Sequence, residues 1–132
     1  MAFKNDQFMI LKYFAPGGEG LGSSPTDPLP LVSGAVNVAT LEAGMVVEEA
    51  AVVVTTAVVG ITEINLGDDD DPDGFVSSGS ITYATPGGYD GDGAYVTGGL
   101  HKYYAAAKTL KLTSVGAIAT GAVVAVVKGY KV

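Results

Sequence analysis

The chain has 132 residues, a net charge of −7 from 14 acids against seven lysines, and neither Arg nor Cys nor Trp. The missing Cys removes disulfides and thiolate chemistry. The missing Arg and the acidic balance argue against nucleic acid, because phosphate binding needs clustered cations. At this length one domain with a self-sufficient core is expected, and the abundance of Val, Ala, Thr and Gly points to sheet.

Charge is unevenly spread along the chain. Residues 1–92 hold every acid and two lysines, and residues 93–132 hold five lysines and no acid. Folding either keeps these as two electrostatically different surfaces or intermixes them. No signal peptide is evident, since the N-terminal apolar run is short and interrupted by charge. Ala50–Ile61 and Ala117–Val127 are too short to span a bilayer. The expectation is a protein made in a cytoplasm, with no membrane partner.

Gln7–Phe14 is apolar on both faces, with Phe8 and Ile10 pointing one way and Met9, Leu11 and Tyr13 the other. Such a strand is central in a sheet or buried against a partner. It is either an arm that adds a strand to a neighbour's sheet or a terminal strand of its own sheet. Ala15–Pro30 is dense in Pro and Gly and reads as a long loop. These observations divide the chain into an arm and loop, 1–30, and a sheet domain, 31–132.

Leu31–Leu41 reads as a weak strand. Met45–Val59 reads as a buried strand because VVVTTAVV is stiff at χ1. Gly60 reads as a turn. Ile61–Leu66 alternates, with Ile64 and Leu66 on one side. Gly67–Gly74 is an acidic loop, with Asp68–Asp71 and Asp73 close enough that it must stay solvated or hold a counter-ion. Ser80–Thr85 and Ala94–Thr97 read as short strands, Pro86–Gly93 as a turn, and Leu100–Ala107 as a single helical or 3₁₀ turn. Lys108–Thr113 alternates with Leu110 and Leu112 inward, Gly116 marks a turn, and Ile118–Lys128 is the last long strand. Seven or eight short strands predict an antiparallel β-sandwich, jelly-roll-like or Ig-like in order.

The residues assemble no catalytic site, and no enzyme activity or cofactor is expected. His101 lacks a placed partner. The serines lack a nucleophile context, and the glycines of Pro16–Gly22 do not spell a phosphate loop. The Asp loops do not match an EF-hand. They and Tyr83, Tyr89, Tyr95, Tyr103 and Tyr104 nevertheless leave a calcium- or carbohydrate-binding module open as an alternative.

The ordered series VVVTTA at Val52–Ala57, Gly60-x-Thr62, Ile64-x-Leu66-Gly67-Asp68, Asp73-Gly74-Phe75-Val76, Tyr104-x-Ala106, Thr109-x-Lys111-x-Thr113 and Thr120-Gly121-Ala122-Val123-x-Ala125-Val126-Val127 resembles small capsid decoration, or cement, proteins of tailed bacteriophages. It covers roughly residues 30–132. The resemblance implies a β-sandwich on the outside of a phage head that bridges major capsid subunits. It also implies a homo-oligomer, for which a trimer is expected over a dimer. Another virion component, such as a head-fibre base or a tail or adaptor subunit, is the nearest alternative. The contact surfaces expected on this reading are the N-terminal strand, through Phe8, Met9, Ile10, Leu11 and Tyr13, and the lysine-rich end, through Lys108, Lys111, Lys128, Tyr130 and Lys131. Gln7–Phe14, Val52–Val59 and Val123–Val127 carry more apolar surface than one small core requires.

Overall fold

The computed structural model describes residues 6–132. Over these residues the fold is all-β, a β-sandwich of seven strands that pair antiparallel apart from the short parallel pair of the first two. They are β1 (Gln7–Ala15), β2 (Leu29–Pro30), β3 (Gly34–Leu41), β4 (Met45–Gly67), β5 (Gly87–Asp90), β6 (Lys102–Tyr103) and β7 (Lys108–Lys131).

Two strands of unusual length organise the rest. β4 and β7 pair antiparallel from Met45 opposite Lys131 to Gly67 opposite Lys111. Register shifts interrupt the ladder between Val54 and Glu63. Bulges of this kind bend and twist a strand pair, so one continuous sheet supplies both layers of the sandwich. In the first layer, β1 lies on the C-terminal half of β7, while β5 and β6 lie on the N-terminal half of β4. In the second layer, β3 lies on the N-terminal half of β7. Val76 closes the far end by bridging to Leu66.

Two turns expected from sequence, at Gly60 and Gly116, are these bulges, and the strands run through them. Both glycines have positive φ, +95° and +132°. A Cβ on Gly60 would stand 2.1 Å from the Ala117 carbonyl oxygen, and one on Gly116 would stand 2.3 Å from the Gly60 carbonyl oxygen. The backbones cross so closely that glycine is required on both sides. A glycine in a strand signals either a turn or such an approach, and the partner needed to decide lies more than 50 residues away.

The core lies between the two layers. The first contributes Phe14, Val52, Val54, Val123, Ala125 and Val127. The second contributes Val38, Leu41, Ile64, Leu66, Leu110 and Leu112, and Phe75, Val76 and Ile81 complete the packing. The alternation read in ITEINL and KTLKLT therefore places the inward residues correctly.

Several local expectations differ from the structure. Ser80–Thr85 is not a strand: a 3₁₀ turn occupies Ser78–Ser80. Tyr83 instead accepts the Ile64 N–H at 3.1 Å. Gly87–Asp90, expected as part of a turn, is β5, which pairs with Ala51–Val54 through backbone groups that need no side chain. Ala94–Thr97 is not a strand, and a 3₁₀ turn follows at Thr97–Gly99. Within Leu100–Ala107 the chain forms β6 in place of a helical turn.

Candidate interaction face

β1 is a strand of its own sheet. It pairs with β7 from Gln7 opposite Tyr130 to Phe14 opposite Val123, and Phe14 is buried in the core. Phe8 and Ile10 point inward and pack against that core. Met9, Leu11 and Tyr13 therefore point outward. Met9 is 63% exposed and Leu11 36% exposed.

The register shows what lies beside them. Leu11 stands opposite Val126, which stands opposite Ala51, which stands opposite Asp90. Tyr13 stands opposite Val124, then Val53, then Gly88. Met9 stands opposite Lys128, then Glu49, and those two charges pair at 3.0 Å. Residues directly opposite in a sheet share a face. The outer face of the first layer is thus a continuous apolar surface in which Met9 and Leu11 are exposed, Tyr13, Val126, Ala51 and Val53 are half-buried, and Val124 is buried among them. Strand spacing and rise give it a footprint on the order of 300 Å², and contiguous apolar patches on small proteins are often functional. The three segments with surplus apolar surface in the sequence meet side by side here. Tyr130, half-buried, continues the face beside Gln7.

The lysine-rich end is not a separate basic surface. Lys108 pairs with Asp70 at 3.2 Å, Lys111 with Asp69 at 2.7 Å, and Lys131 with Glu42 at 2.6 Å. Lys102 lies over the ring of Tyr95, 4.3 Å from its centroid. The strand order intermixes the charges that the sequence separates. Lys131 holds the Glu42 carboxyl below the ordinary carboxylate range, mainly through their hydrogen bond, and Lys111 does the same for Asp69.

The acidic loop is organised around one buried carboxylate. Asp68 is 1% exposed. It accepts hydrogen bonds from the hydroxyls of Tyr104 at 2.7 Å and Tyr95 at 3.0 Å. The backbone N–H groups of Asp70 and Asp71 add two more, each at 2.9 Å. Burial, followed by the hydrogen bond to Asp68, raises both tyrosine pKa values far above the phenol range. Asp71 is raised as well, first by its hydrogen bond to the Asp73 side chain. The loop's charge is thus met by four donors to Asp68, the Thr109 N–H at Asp69, and two lysines. Among the described residues no set of three or more acidic, His or Cys side chains converges as a metal site. Tyr89 donates to the backbone oxygens of Thr82 and Thr85. The tyrosines that motivated a sugar platform are mostly engaged in the fold, and Tyr103 stays exposed.

No family profile and no curated protein sequence matches the chain. Among solved structures, the fold is similar to a chain in the acid-stable capsid of Helicobacter pylori bacteriophage KHP30. That match has a TM-score of 0.66 and 11% identity, over 96% of this chain and 88% of the other. It is also similar to a chain in the capsid asymmetric unit of cyanophage Pam1, with a TM-score of 0.61 and 15% identity, over 97% of this chain and 88% of the other. At these identities the likeness is one of fold.

Proposed function

We propose that the chain is a structural virion protein that decorates the outside of a phage capsid and cements the shell by bridging major capsid subunits. The observation that carries this reading is the likeness of fold, over nearly the whole chain, to chains of two phage capsids. The geometry supports a binding protein over an enzyme. The buried carboxylate of Asp68 and the hydroxyls of Tyr95 and Tyr104 are consumed in holding the acidic loop, and the conspicuous outward feature is the apolar outer face of β1, β7 and β4. A cement protein binds the assembled lattice better than its separated parts, and so stabilises the lattice by linkage. On this reading the outer face seats on the shell, with the Glu49–Lys128 pair at its rim.

The test is the resistance of the shell. Capsids lacking this protein, incubated with the purified chain, should tolerate more heat and chaotrope than untreated ones. The Val53→Lys variant should give no protection. Equal resistance with and without the wild-type chain would overturn the cement reading.

A further inference from the structure

The chain has two Asp–Pro peptide bonds, Asp27–Pro28 and Asp71–Pro72. The nitrogen of such a bond belongs to a tertiary amide, so it takes a proton more readily than an ordinary peptide nitrogen and leaves as a secondary amine. The carboxylate of the preceding residue is a nucleophile already in place. The fold treats the two bonds differently. The Asp71 carbonyl oxygen accepts two backbone N–H groups, from Gly74 at 3.0 Å and from Asp68 at 3.1 Å. Gly67 lies against the same peptide. A Cβ there would stand 2.1 Å from the Asp71 carbonyl oxygen and 2.5 Å from the Pro72 carbonyl carbon. Two fixed donors on one carbonyl oxygen stabilise the oxyanion that forms when its carbon is attacked. The Asp71 carboxyl is hydrogen-bonded to the Asp73 side chain, which raises it above the ordinary carboxylate range, so the two hold one proton between them in mild acid. Asp71 is half-buried while Pro72 and Asp73 are exposed, which leaves the bond open to water. At the other bond the Asp27 carbonyl accepts one N–H, from Gly22 at 2.7 Å, and its carboxylate is taken up by the Leu21 N–H and the Ser23 hydroxyl.

We propose that Asp71–Pro72 is a self-cleavage site in mild acid, with Asp71 as the nucleophile and Asp73 as the proton donor. An Asp71 carboxylate oxygen bonds to that residue's own backbone carbonyl carbon and closes a five-membered cyclic anhydride. The carbon–nitrogen bond to Pro72 breaks, its electron pair stays on nitrogen, and the proton from Asp73 goes to that nitrogen. Water then opens the anhydride, which restores the Asp71 side chain and leaves a free α-carboxyl group beside it. The other charges around the loop are Asp68, Asp69 and Asp70, with Lys111 paired to Asp69 and Lys108 to Asp70. The Tyr95 and Tyr104 hydroxyls that meet Asp68 stay neutral in acid. β4 lies before the cut and β7 after it, so their ladder holds residues 1–71 and 72–132 together. The step is a single event on the chain itself, and it does not depend on the virion reading.

The test incubates the full chain near pH 4, about the ordinary aspartate range, with circular dichroism as the fold control, and reads fragment masses after denaturation. In the folded chain Asp71–Pro72 should be cut at least about tenfold faster than Asp27–Pro28. Urea at the same pH should bring the two rates together. The rate at Asp71–Pro72 should be bell-shaped in pH. Asp71→Glu, which closes a larger ring, and Pro72→Ala, which leaves as a primary amine, should each slow the cut at least about tenfold. Asp73→Asn should slow it about as much and flatten the bell. Light scattering without denaturant should find the cut chain at its uncut mass. Equal rates at the two bonds in the folded chain, a preference that survives urea, or unfolding before any cut would overturn the proposal. So would an unchanged rate in folded Asp73→Asn. The wild-type comparison decides the matter even where a variant fails to fold.

Discussion

The hydroxyl of Tyr104 donates to the carboxylate of Asp68 at 2.7 Å, inside the core and across 36 residues of chain. Tyr95 donates to the same carboxylate, and its ring packs edge-on against Phe75 with centroids 5.3 Å apart. Asp68 is therefore a structural hub that ties the acidic loop to the segment carrying β6. A buried carboxylate is tolerated here because four donors replace its water.

Asp68→Ala should be among the most damaging single changes. It leaves the buried hydroxyl of Tyr104 unpaired and releases the loop N–H groups. A loss of about 3 kcal/mol is expected, read as a lower urea midpoint with an unchanged slope. Asp69→Ala removes an exposed pair with Lys111 and a contact with the Thr109 N–H, and should move the urea midpoint far less than Asp68→Ala.

The same hub sets an alkaline limit. Both tyrosines have folded pKa values raised above the unfolded value, which is about 10. The stability they contribute is complete below that pH and declines as pH rises above it, because the unfolded chain ionises first. Tyrosinate absorbance assigned to Tyr95 and Tyr104 by comparison with Tyr95→Phe and Tyr104→Phe should rise together with the loss of circular dichroism. Ionisation of either residue in the folded protein would contradict this.

The bulge crossing gives a prediction with an internal control. Gly60→Ala and Gly116→Ala each push a Cβ into opposing backbone and should cost several kcal/mol, on the order of 3. Gly34 also has positive φ, at +110°, but a Cβ there meets open space. Gly34→Ala should cost about 1 kcal/mol. Equal costs at Gly34 and Gly60 would mean that the strands do not cross as closely as described.

Opposite faces of one strand should separate folding from binding. Val52 is buried and Val53 is on the outer face, so Val52→Ala should cost about 2 kcal/mol of stability. Val53→Lys should leave the urea midpoint nearly unchanged while abolishing capsid protection. Deleting residues 1–14 belongs with the folding changes, because it removes Phe14 from the core and bares β7. That truncated chain should fail to fold. A folded truncated chain would restore the alternative of a detachable arm.

The inward residues were legible where polar and apolar positions alternate, as at Ile64, Leu66, Leu110 and Leu112. The acidic loop was legible as a loop, and its buried member was not. Nothing local distinguishes Asp68 from Asp69, and the tyrosines that claim it lie 27 and 36 residues away. Strand lengths were misread because Gly60 and Gly116 have the same local signature in a turn as in a crossing bulge. The apolar outer face was legible as surplus, in three segments, before its location was. The register of β7 against β1 and β4 brings those segments together, and register is a property of distant pairs. The separated charges were legible as well, but the same register brings Lys108, Lys111, Lys128 and Lys131 to acids from the other end of the sequence.

The most direct test of the central claim is co-sedimentation of the purified chain with shells that lack it, counted as copies per shell. Saturation at hundreds of copies, lost in Val53→Lys and retained in Asp69→Ala, is the result this account predicts. A folded wild-type chain that stays in the supernatant at every concentration, or that saturates at a single ring of copies, would contradict it.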